Sequence, residues 1–510
     1  MKKHYFLLAS ILFLTFVLRF PSLFEPFWYG DEGIFAAVAR NLNQGGVLYQ
    51  TAWDNKPPMI YLTYEVIFKY FGVSMFWLRL ITVVFVLATA TAVYEIANQI
   101  FGKNRALFSA FIFGILTSLR LIEGNLALTE IFMILPITLA MLIALKRNFD
   151  HFSLLIAGVL FAVASLYKQV GALEAVALGI FLFFQSKNIL DFIKKATVLS
   201  LGFVIPYAAT IAYFAPKNLV ADYIFAAYTY YRIYLGESPK YALLINILKF
   251  LPIVTAIAYG IWKKYSIIYA SSERSESRSH DKLSSRQART TSGVGVFHLI
   301  LLWTAFSFLG SYFSGRTYGH YLVQATPALS VILASITLKP QINRIRSIFA
   351  LTFFLPLIFL TKLLFTDFLS GGPINQIKYF QNFAQYSTGE KGVDEYNNYF
   401  DRNVNTIMAL ADFLKINQGY GESVYIWGDY PWLYAISDLK NPSRYVTSFH
   451  VFGVPEGQSE VIGNLVKNPP KYIIKSESSI GYFPDLEKFI AQGYTSGGFV
   501  ETSEIFVKNH

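Results

Sequence analysis

The chain has 510 residues, of which 54% are hydrophobic and only 15% are charged, and its mean hydropathy is +0.42. Soluble domains carry about 25% charged residues, so this composition excludes an ordinary soluble protein and indicates a polytopic membrane protein. The net charge is +11 and cysteine is absent, which excludes disulfides, thiolate catalysis and cysteine-ligated metal.

The first predicted element is an apolar run from residue 5 to about residue 20, preceded by Lys2 and Lys3. It resembles a signal peptide, but no small-x-small cleavage site follows, so we expect an uncleaved span. Further runs long enough to cross about 30 Å of hydrocarbon bring the expected total to about eleven spans. These runs lie near 75–98, 106–121, 126–145, 153–168, 171–186, 196–215, 242–262, 297–314, 320–338 and 346–365.

The Lys and Arg residues predict how these spans are oriented. Loops on the side of the N-terminus hold most of the basic residues, including the cluster within 263–296, and loops on the other side hold fewer. By the positive-inside rule the N-terminus is cytoplasmic, and an odd number of spans puts the C-terminal region outside. We expect a multi-pass protein of the plasma (inner) membrane, in contact with its lipids, with a first outer loop at 21–74. Because these loops account for the positive charge, we expect no nucleic-acid partner.

Two segments depart from the membrane pattern. Residues 271–295 are rich in Ser and Arg and nearly free of large apolar residues, so we expect a disordered cytoplasmic loop. Residues 366–510 alternate β-like runs at 423–427, 472–475 and 504–508 with helical patterns at 403–417 and 484–492. The predicted fold is therefore mostly α: a transmembrane helical bundle over 1–365, followed by a small soluble α/β domain outside the membrane.

Nearly every unusual polar residue lies in a loop that is predicted to be outside. These residues are Asp31, Glu32, Lys56, Arg120, Glu123, Lys168, Arg232, Arg316 and His320. Cations of this kind stabilise the charge that develops on a phosphodiester leaving group, and a carboxylate takes the proton of an acceptor hydroxyl. Cations and carboxylates on one side of the membrane therefore fit a site that binds an anionic donor and an acceptor that loses a proton.

The acidic residues after the first span allow two interpretations each. Asp31 precedes an amphipathic helical pattern and so fits a helix N-cap, and that role is compatible with catalysis because a helix N-terminus keeps its carboxylate ionised. Glu32 fits a first-turn glutamate as well as a second catalytic group. Lys56, followed by two prolines, is either a phosphate ligand or an interfacial lysine in a rigid turn.

Two further acidic residues and a lysine lie near the predicted span boundaries. Glu123 and Glu130 are seven residues apart, which places them on one face of a helix and makes them a candidate second acidic site. Glu130 is expected about one turn or more inside a span, where a carboxylate is usually functional or paired. Lys168 is either a phosphate ligand or a lysine that extends its ammonium to the interface.

The remaining candidates are two arginines and a histidine. Arg232 lies in an aromatic segment typical of a membrane interface, and a guanidinium grips phosphate bidentately. Arg316 and His320 surround a very short outer turn, which forces their side chains toward the interior or toward neighbours. His320 also fits a purely structural histidine.

Taken together, these residues resemble the C-type glycosyltransferases, in particular the protein O-mannosyltransferase and aminoarabinose-transferase-like family, which includes bacterial sugar transferases of lipopolysaccharide assembly. The resemblance covers about residues 1–365 in order and spacing, and the C-terminal outer domain also fits. Its motifs are Tyr29-Gly-Asp-Glu32, Asp54-Asn-Lys-Pro-Pro-Met-Ile-Tyr61, Asn125-Leu-Ala-Leu-Thr-Glu130, Tyr167-Lys-Gln169 and the stretch from Gly315 to Pro327.

The resemblance implies a polyprenyl-phosphate-linked sugar donor, an active site on the outer face and inversion at the anomeric carbon. Asp31 matches the catalytic aspartate of the family, with Glu32 beside it, and Lys56 matches a lysine near the donor phosphate. The further candidates for binding that phosphate are Lys168, Arg232, Arg316 and His320. Asn55 replaces an acidic residue of the aminoarabinose transferases, which weakens the case for a divalent metal and for lipid A as acceptor. No other cofactor is implied, and the metal requirement is left open.

Other classes of function stay open at this point. A transporter or lipid flippase places its coupling charges near the bilayer midplane and often shows inverted repeats, whereas here the charges collect at one face and no clear repeat is visible. A non-catalytic scaffold of the cell envelope leaves Glu130 and the basic residues unexplained. The sugar is open, and the acceptor is a protein hydroxyl, a lipid or a glycan.

Overall fold

The computed structural model describes residues 2–234, 236, 241–277, 285–316, 318–336, 344–365, 372–417, 422–476 and 481–509. Helices occupy every region in which a span was predicted, and the mostly α fold is confirmed. The helices of the first part are α1 (Lys2–Arg19), α2 (Gly30–Asn43), α3 (Met59–Phe71), α4 (Met75–Phe101), α5 (Lys103–Ser118), α6 (Thr129–Lys146), α7 (His151–Tyr167), α8 (Leu173–Gln185), α9 (Ile189–Phe214), α10 (Val220–Ile224), α11 (Tyr231–Tyr234), α12 (Ala242–Ser277), α13 (Ser285–Tyr312), α14 (Thr326–Ile336) and α15 (Arg344–Leu364).

Seven helices among the described residues are long and apolar enough to cross a membrane, and they confirm a multi-pass membrane protein. These are α1, α4, α6, α9, α12, α13 and α15. The other four predicted spans form the shorter helices α5, α7, α8 and α14. Helices α8 and α14 are shortened because 3₁₀ turns at Gln169–Ala172 and Gly319–Ala325 precede them. These breaks place polar side chains at the end of the bundle.

The bundle is built by direct helix-to-helix packing. Helix α7 packs between α6 and α9, and α4 packs against both α5 and α6. Where α7 crosses α9, a Cβ on either Gly158 or Gly202 would collide with the backbone of the facing helix. Small residues at such crossings let membrane helices approach closely and gain van der Waals contact.

Two amphipathic helices, α2 and α3, follow α1 and precede α4 in the chain, and they pack against each other. Helix α2 buries an apolar face that includes Phe35, Val38 and Ala39, as its sequence pattern predicts. The residues of the predicted first outer loop therefore include two helices that pack together.

The C-terminal part combines short helices with one four-stranded sheet. Its helices are α16 (Gly372–Ser387), α17 (Val393–Asn398), α18 (Asn403–Asn417), α19 (Pro431–Ile436), α20 (Ser448–Gly453), α21 (Gly457–Lys467) and α22 (Pro484–Gly493), and its strands are β1 (Val424–Trp427), β2 (Tyr472–Lys475), β3 (Tyr494–Val500) and β4 (Ser503–Lys508). The sheet order is β1-β2-β4-β3, with β1 and β2 parallel and the other two pairs antiparallel. Both predicted helices and all three predicted strands are present.

The segment 271–295, expected to be disordered, is partly helical. Helix α12 continues to Ser277 and α13 begins at Ser285, while residues 278–284 lie outside the described part of the chain. An apolar helix continues into polar sequence at little cost where residues such as Arg, Gln and Ala have favourable helix propensity.

Candidate active site

A cavity of about 160 Å³ lies at one end of the helical bundle. Five residues singled out in the sequence line it: Asp31, Lys56, Glu130, Lys168 and His320. They come from the first turn of α2, the loop before α3, the first turn of α6, the end of α7 and the 3₁₀ turn before α14. The other lining residues are Tyr29, Gly30, Phe35, Leu128, Thr129, Tyr318 and Tyr321. The structure thus gathers into one cavity residues from five separate places in the chain.

Asp31 is distinguished by the surroundings of its carboxylate. Helix α2 begins at Gly30 with Tyr29 as its N-cap, so the interpretation of Asp31 as the cap is wrong. Asp31 instead occupies the first turn of the helix. Within the part of the chain that the structure describes, its carboxylate forms no hydrogen bond and no ion pair. It is therefore available to accept a proton.

Glu32, the neighbouring residue, has a different environment. Its side chain is fully buried, is not among the cavity-lining residues, and is ion-paired with Arg79. The Arg79 Nη2 donates to Glu32 Oε2 at 2.9 Å and to Glu25 Oε2 at 3.0 Å, and the Ala127 N–H donates to Glu32 Oε1 at 2.5 Å. These contacts support a structural role for Glu32 in place of the expected catalytic one.

This buried network, which also includes Asn125 and Tyr379, was not predicted from the sequence. The Asn125 amide donates to Glu25 Oε1 at 2.6 Å, and the Tyr379 hydroxyl donates to the same atom at 2.7 Å. A signal was present, because Arg79 lies near the start of a predicted span, where an unpaired charge is costly. Its partners come from distant parts of the chain and leave no local pattern.

Lys168 and Glu130 form a buried ion pair at the cavity. The Lys168 ammonium donates to Glu130, whose second oxygen accepts a 2.8 Å hydrogen bond from the Thr129 hydroxyl. The same ammonium lies 3.5 Å from the centroid of the Tyr321 ring, in cation–π geometry. Lys168 is 9% exposed, so it is buried in the wall of the cavity. Its charge is held in the cavity wall and is partly compensated by Glu130.

Glu123 contacts one ring nitrogen of His320, Nδ1. The Glu123 Oε2 lies 2.6 Å from His320 Nδ1 and accepts a hydrogen bond from the Tyr29 hydroxyl at 3.4 Å. Burial and the Glu123 carboxylate hold the pKa of Tyr29 well above its usual value, so Tyr29 acts as a neutral donor. With Nδ1 engaged, Nε2 is the ring nitrogen of His320 that remains for the cavity.

Glu123 and Glu130 do not share a helix face, so that prediction is wrong. Helix α6 begins only at Thr129, and Glu123 follows a 3₁₀ turn with a φ of 51°. A left-handed backbone conformation ends a helical turn, and it is uncommon in a non-glycine residue. The two carboxylates therefore serve separate partners, His320 and Lys168.

The backbone of Lys56 is fixed on both sides by tyrosine hydroxyls. The Lys56 N–H donates to the Tyr61 hydroxyl at 3.2 Å, and the Tyr49 hydroxyl donates to the Lys56 carbonyl at 2.7 Å. The Lys56 ammonium donates to Asn55 Oδ1 at 2.9 Å. Asn55 is a neutral amide, and this contact orients the ammonium.

The structure does not bring the two candidate arginines to the cavity. Arg232, in the short helix α11, has an exposed side chain, and Arg316 is half-buried. Neither is among the described residues that line the cavity. Their expected contact with a donor phosphate therefore stays a prediction.

The acidic side chains do not form a metal site. Over the described ranges, no group of three or more His, Asp or Glu residues is arranged to hold a metal ion. At the cavity, Glu130 and Glu123 are already engaged with Lys168 and His320, and the residue beside Lys56 is an amide. The donor set present at the cavity does not fit a divalent metal.

The residues that line the cavity can both stabilise an anion and accept a proton. Two ammonium groups and an imidazole can stabilise an anion, and a carboxylate without a partner can accept a proton. The cavity lies where the helical bundle meets the C-terminal part: the Trp432 indole donates to the Tyr29 carbonyl at 3.0 Å, next to Asp31.

Comparisons with known proteins agree with these features. Residues 55–214 match the sequence profile of the family described as dolichyl-phosphate-mannose-protein mannosyltransferase. An uncharacterized protein of Aquifex aeolicus, strain VF5, is 27% identical over 159 residues, which make up 30% of this chain and 30% of that protein. The chain therefore matches less than a third of the length of this curated relative.

The fold matches that of a solved structure. The crystal structure of ArnT from Cupriavidus metallidurans bound to undecaprenyl phosphate superposes with a TM-score of 0.53 and 14% identity, over 98% of this chain and 97% of that one. The apo structure of the same protein gives the same values. The predicted fold is confirmed, since the chain and ArnT share one fold over nearly their whole lengths.

Proposed function

We propose that this chain, which has the fold of the C-type glycosyltransferases, transfers a sugar from a polyprenyl-phosphate donor to an acceptor hydroxyl. The observation that carries the proposal is the cavity in which the unpartnered carboxylate of Asp31 lies close to two lysines. The family matched over 55–214 and the undecaprenyl phosphate bound to ArnT support the choice of donor class.

The proposed reaction is a single displacement that inverts the anomeric carbon. Asp31 accepts the proton of the acceptor hydroxyl while the hydroxyl oxygen forms a bond to the anomeric carbon. The bond from that carbon to the phosphate oxygen breaks, and its electron pair leaves with the polyprenyl phosphate. The step requires no nucleotide, in agreement with the absence of nucleotide-binding motifs in the sequence.

Both lysines contribute to the anion site in this proposal. Lys168 is ion-paired with Glu130, and the Lys56 ammonium is oriented by the Asn55 amide. Lys56 and Lys168 stabilise the charge of the departing phosphate, and His320 completes the anion site. Arg232 and Arg316 are left out of this core because neither lines the cavity.

The proposal places the cavity and the C-terminal domain outside the cytoplasm, in the plasma (inner) membrane. The support is the distribution of Lys and Arg between the loops. Every cavity residue comes from a loop or helix end that this distribution assigns to the same side. Membrane lipids surround the bundle, and the polyprenyl tail would lie between its helices.

The proposal is tested with purified protein in liposomes. A panel of polyprenyl-phosphate sugars is offered together with candidate protein, lipid and glycan acceptors, and release of polyprenyl phosphate is followed. Turnover with one donor supports the proposal and identifies the sugar. If no donor turns over while the liposomes show lipid or solute flux, the proposed function is wrong and the transporter alternative replaces it.

A Lys56→Met variant is expected to raise the KM for the donor and to lower kcat/KM by about 10- to 100-fold, because a hydrogen bond to a charged group contributes about 1.5–3 kcal/mol. Lys217→Met is the matched control, since Lys217 is an exposed lysine that contacts Tyr213 and does not line the cavity. Initial rates at varied donor concentration measure both variants. Equal kinetics for the two would exclude Lys56 as a phosphate ligand.

A further inference from the structure

We infer that His450, in the C-terminal domain, is a positioning residue that holds Lys56 in place for the donor phosphate through Asp54. The inference rests on the proposed function, because it takes Lys56 as the phosphate ligand. His450 lies in α20, far from Lys56 in the chain, and does not line the cavity. Its effect on the reaction is therefore indirect.

The first link is a buried contact between His450 and Asp54. The His450 Nε2 lies 3.3 Å from Asp54 Oδ1, and each residue is only 2% exposed. The Thr447 hydroxyl lies 3.1 Å from His450 Nδ1. Burial lowers the pKa of His450 despite the nearby carboxylate, which favours the neutral ring. A neutral ring that receives the Thr447 hydroxyl at Nδ1 donates its Nε2–H to Asp54.

The second link runs from Asp54 to the backbone of Lys56. The Tyr61 hydroxyl donates to Asp54 Oδ2 at 2.7 Å and accepts from the Lys56 N–H at 3.2 Å. The Asn55 N–H donates to Asp54 Oδ1 at 2.7 Å. Asp54 thus organises the turn that presents Lys56, and His450 fixes Asp54.

A parallel path from the same domain reaches the other side of Lys56. The Arg444 carbonyl accepts from the Trp53 N–H at 2.9 Å, and the Arg444 guanidinium donates to the Tyr49 carbonyl at 2.9 Å. The Tyr49 hydroxyl in turn donates to the Lys56 carbonyl. Both polar groups of the Lys56 backbone are therefore linked to the C-terminal domain. The position of the Lys56 ammonium consequently depends on how that domain packs against the loop.

The test compares three variants of the full-length protein in liposomes. His450→Ala removes the donor to Asp54, His450→Gln restores an N–H donor at a similar reach, and Tyr494→Phe is the control. Tyr494 donates a buried 2.6 Å hydrogen bond to the Pro470 carbonyl within the same domain, away from the first outer loop. The readouts are the donor KM, kcat, and the affinity for a polyprenyl phosphate that carries no sugar.

We expect His450→Ala to raise the donor KM and weaken phosphate binding by about 10-fold or more, with a smaller change in kcat, since small misplacements of a binding group have effects of this size. His450→Gln is expected to recover most of the affinity, and Tyr494→Phe to leave it unchanged. Unchanged binding in a folded His450→Ala protein would overturn the inference, as would an equal loss in Tyr494→Phe.

Two outcomes separate this inference from the proposed function. If the wild type binds polyprenyl phosphate but transfers no sugar, the proposed function fails, and the binding comparison still decides the role of His450. If His450→Ala does not fold, Thr447→Val provides a milder change, because it keeps the ring and removes the hydroxyl that lies next to His450 Nδ1 and caps α20. Unaltered phosphate affinity in a folded Thr447→Val protein would then overturn the inference.

Discussion

Replacement of Asp31 by asparagine is expected to lower kcat for sugar transfer by about 10²- to 10⁴-fold, the range that general-base catalysis contributes. The amide has nearly the same shape as the carboxylate but does not accept the proton of the acceptor hydroxyl. Lys56 and Lys168 remain, so donor binding should be retained. Transfer rates at saturating donor and the affinity for polyprenyl phosphate measure the two effects separately.

The controls for Asp31→Asn address folding and charge. Asp485→Asn makes the same chemical change at an exposed residue of α22 and is expected to keep full activity. Asp31→Glu keeps a carboxylate and should retain more activity than the asparagine variant. A folded Asp31→Asn protein that turns over at the wild-type rate would remove Asp31 from the mechanism.

Replacement of Arg79 by methionine is expected to lower the free energy of unfolding by about 3–5 kcal/mol, the cost of leaving a buried ion pair without one partner. Arg79 is fully buried and is the shared cation of two buried carboxylates, Glu25 and Glu32. Its loss leaves both of them without their cation. Thermal unfolding of the purified protein in detergent measures the effect as a lower Tm or as a loss of folded protein.

The exposed pair formed by Lys146 and Glu95 is the control for Arg79. Its atoms are 3.2 Å apart with half-exposed side chains, so Lys146→Met should cost less than about 1 kcal/mol. Adding Glu32→Gln to Arg79→Met should recover part of the stability, because it removes one unpaired charge. If Arg79→Met is as stable as the wild type, the network around Glu32 is not structural, and the expectation of a catalytic Glu32 regains support.

Much of the fold could be predicted because local patterns determine it. The apolar runs became helices, the helical pattern at 403–417 became α18, and the β-like run at 472–475 became β2. Strand β3 was not predicted from the sequence, because it contains Gly497 and Gly498 and most of its residues are exposed or only partly buried. Its place in the sheet comes from antiparallel pairing with β4, which is a tertiary interaction.

The candidate site could be predicted as a set of residues but not as a set of contacts. The order of spans was enough to put Asp31, Lys56 and Lys168 on one side of the bundle. It could not show that Lys168 pairs with Glu130, 38 residues away, or that His320 pairs with Glu123, 197 residues away. Such partners are decided by helix packing, which no spacing pattern records.

The contact of Trp432 with α2 has a consequence for how the protein is made. The Trp432 indole donates to the Tyr29 carbonyl, and a Cβ on Gly33 would lie only 2.8 Å from the Trp432 side chain. Ribosomes make the chain from its N-terminus, so the helix that carries Asp31 is synthesised early. Trp432, which packs against this helix, is added about 400 residues later. A chain released before that point therefore has the Asp31 helix without Trp432 against Gly33, so the surroundings of Asp31 are completed only late in synthesis.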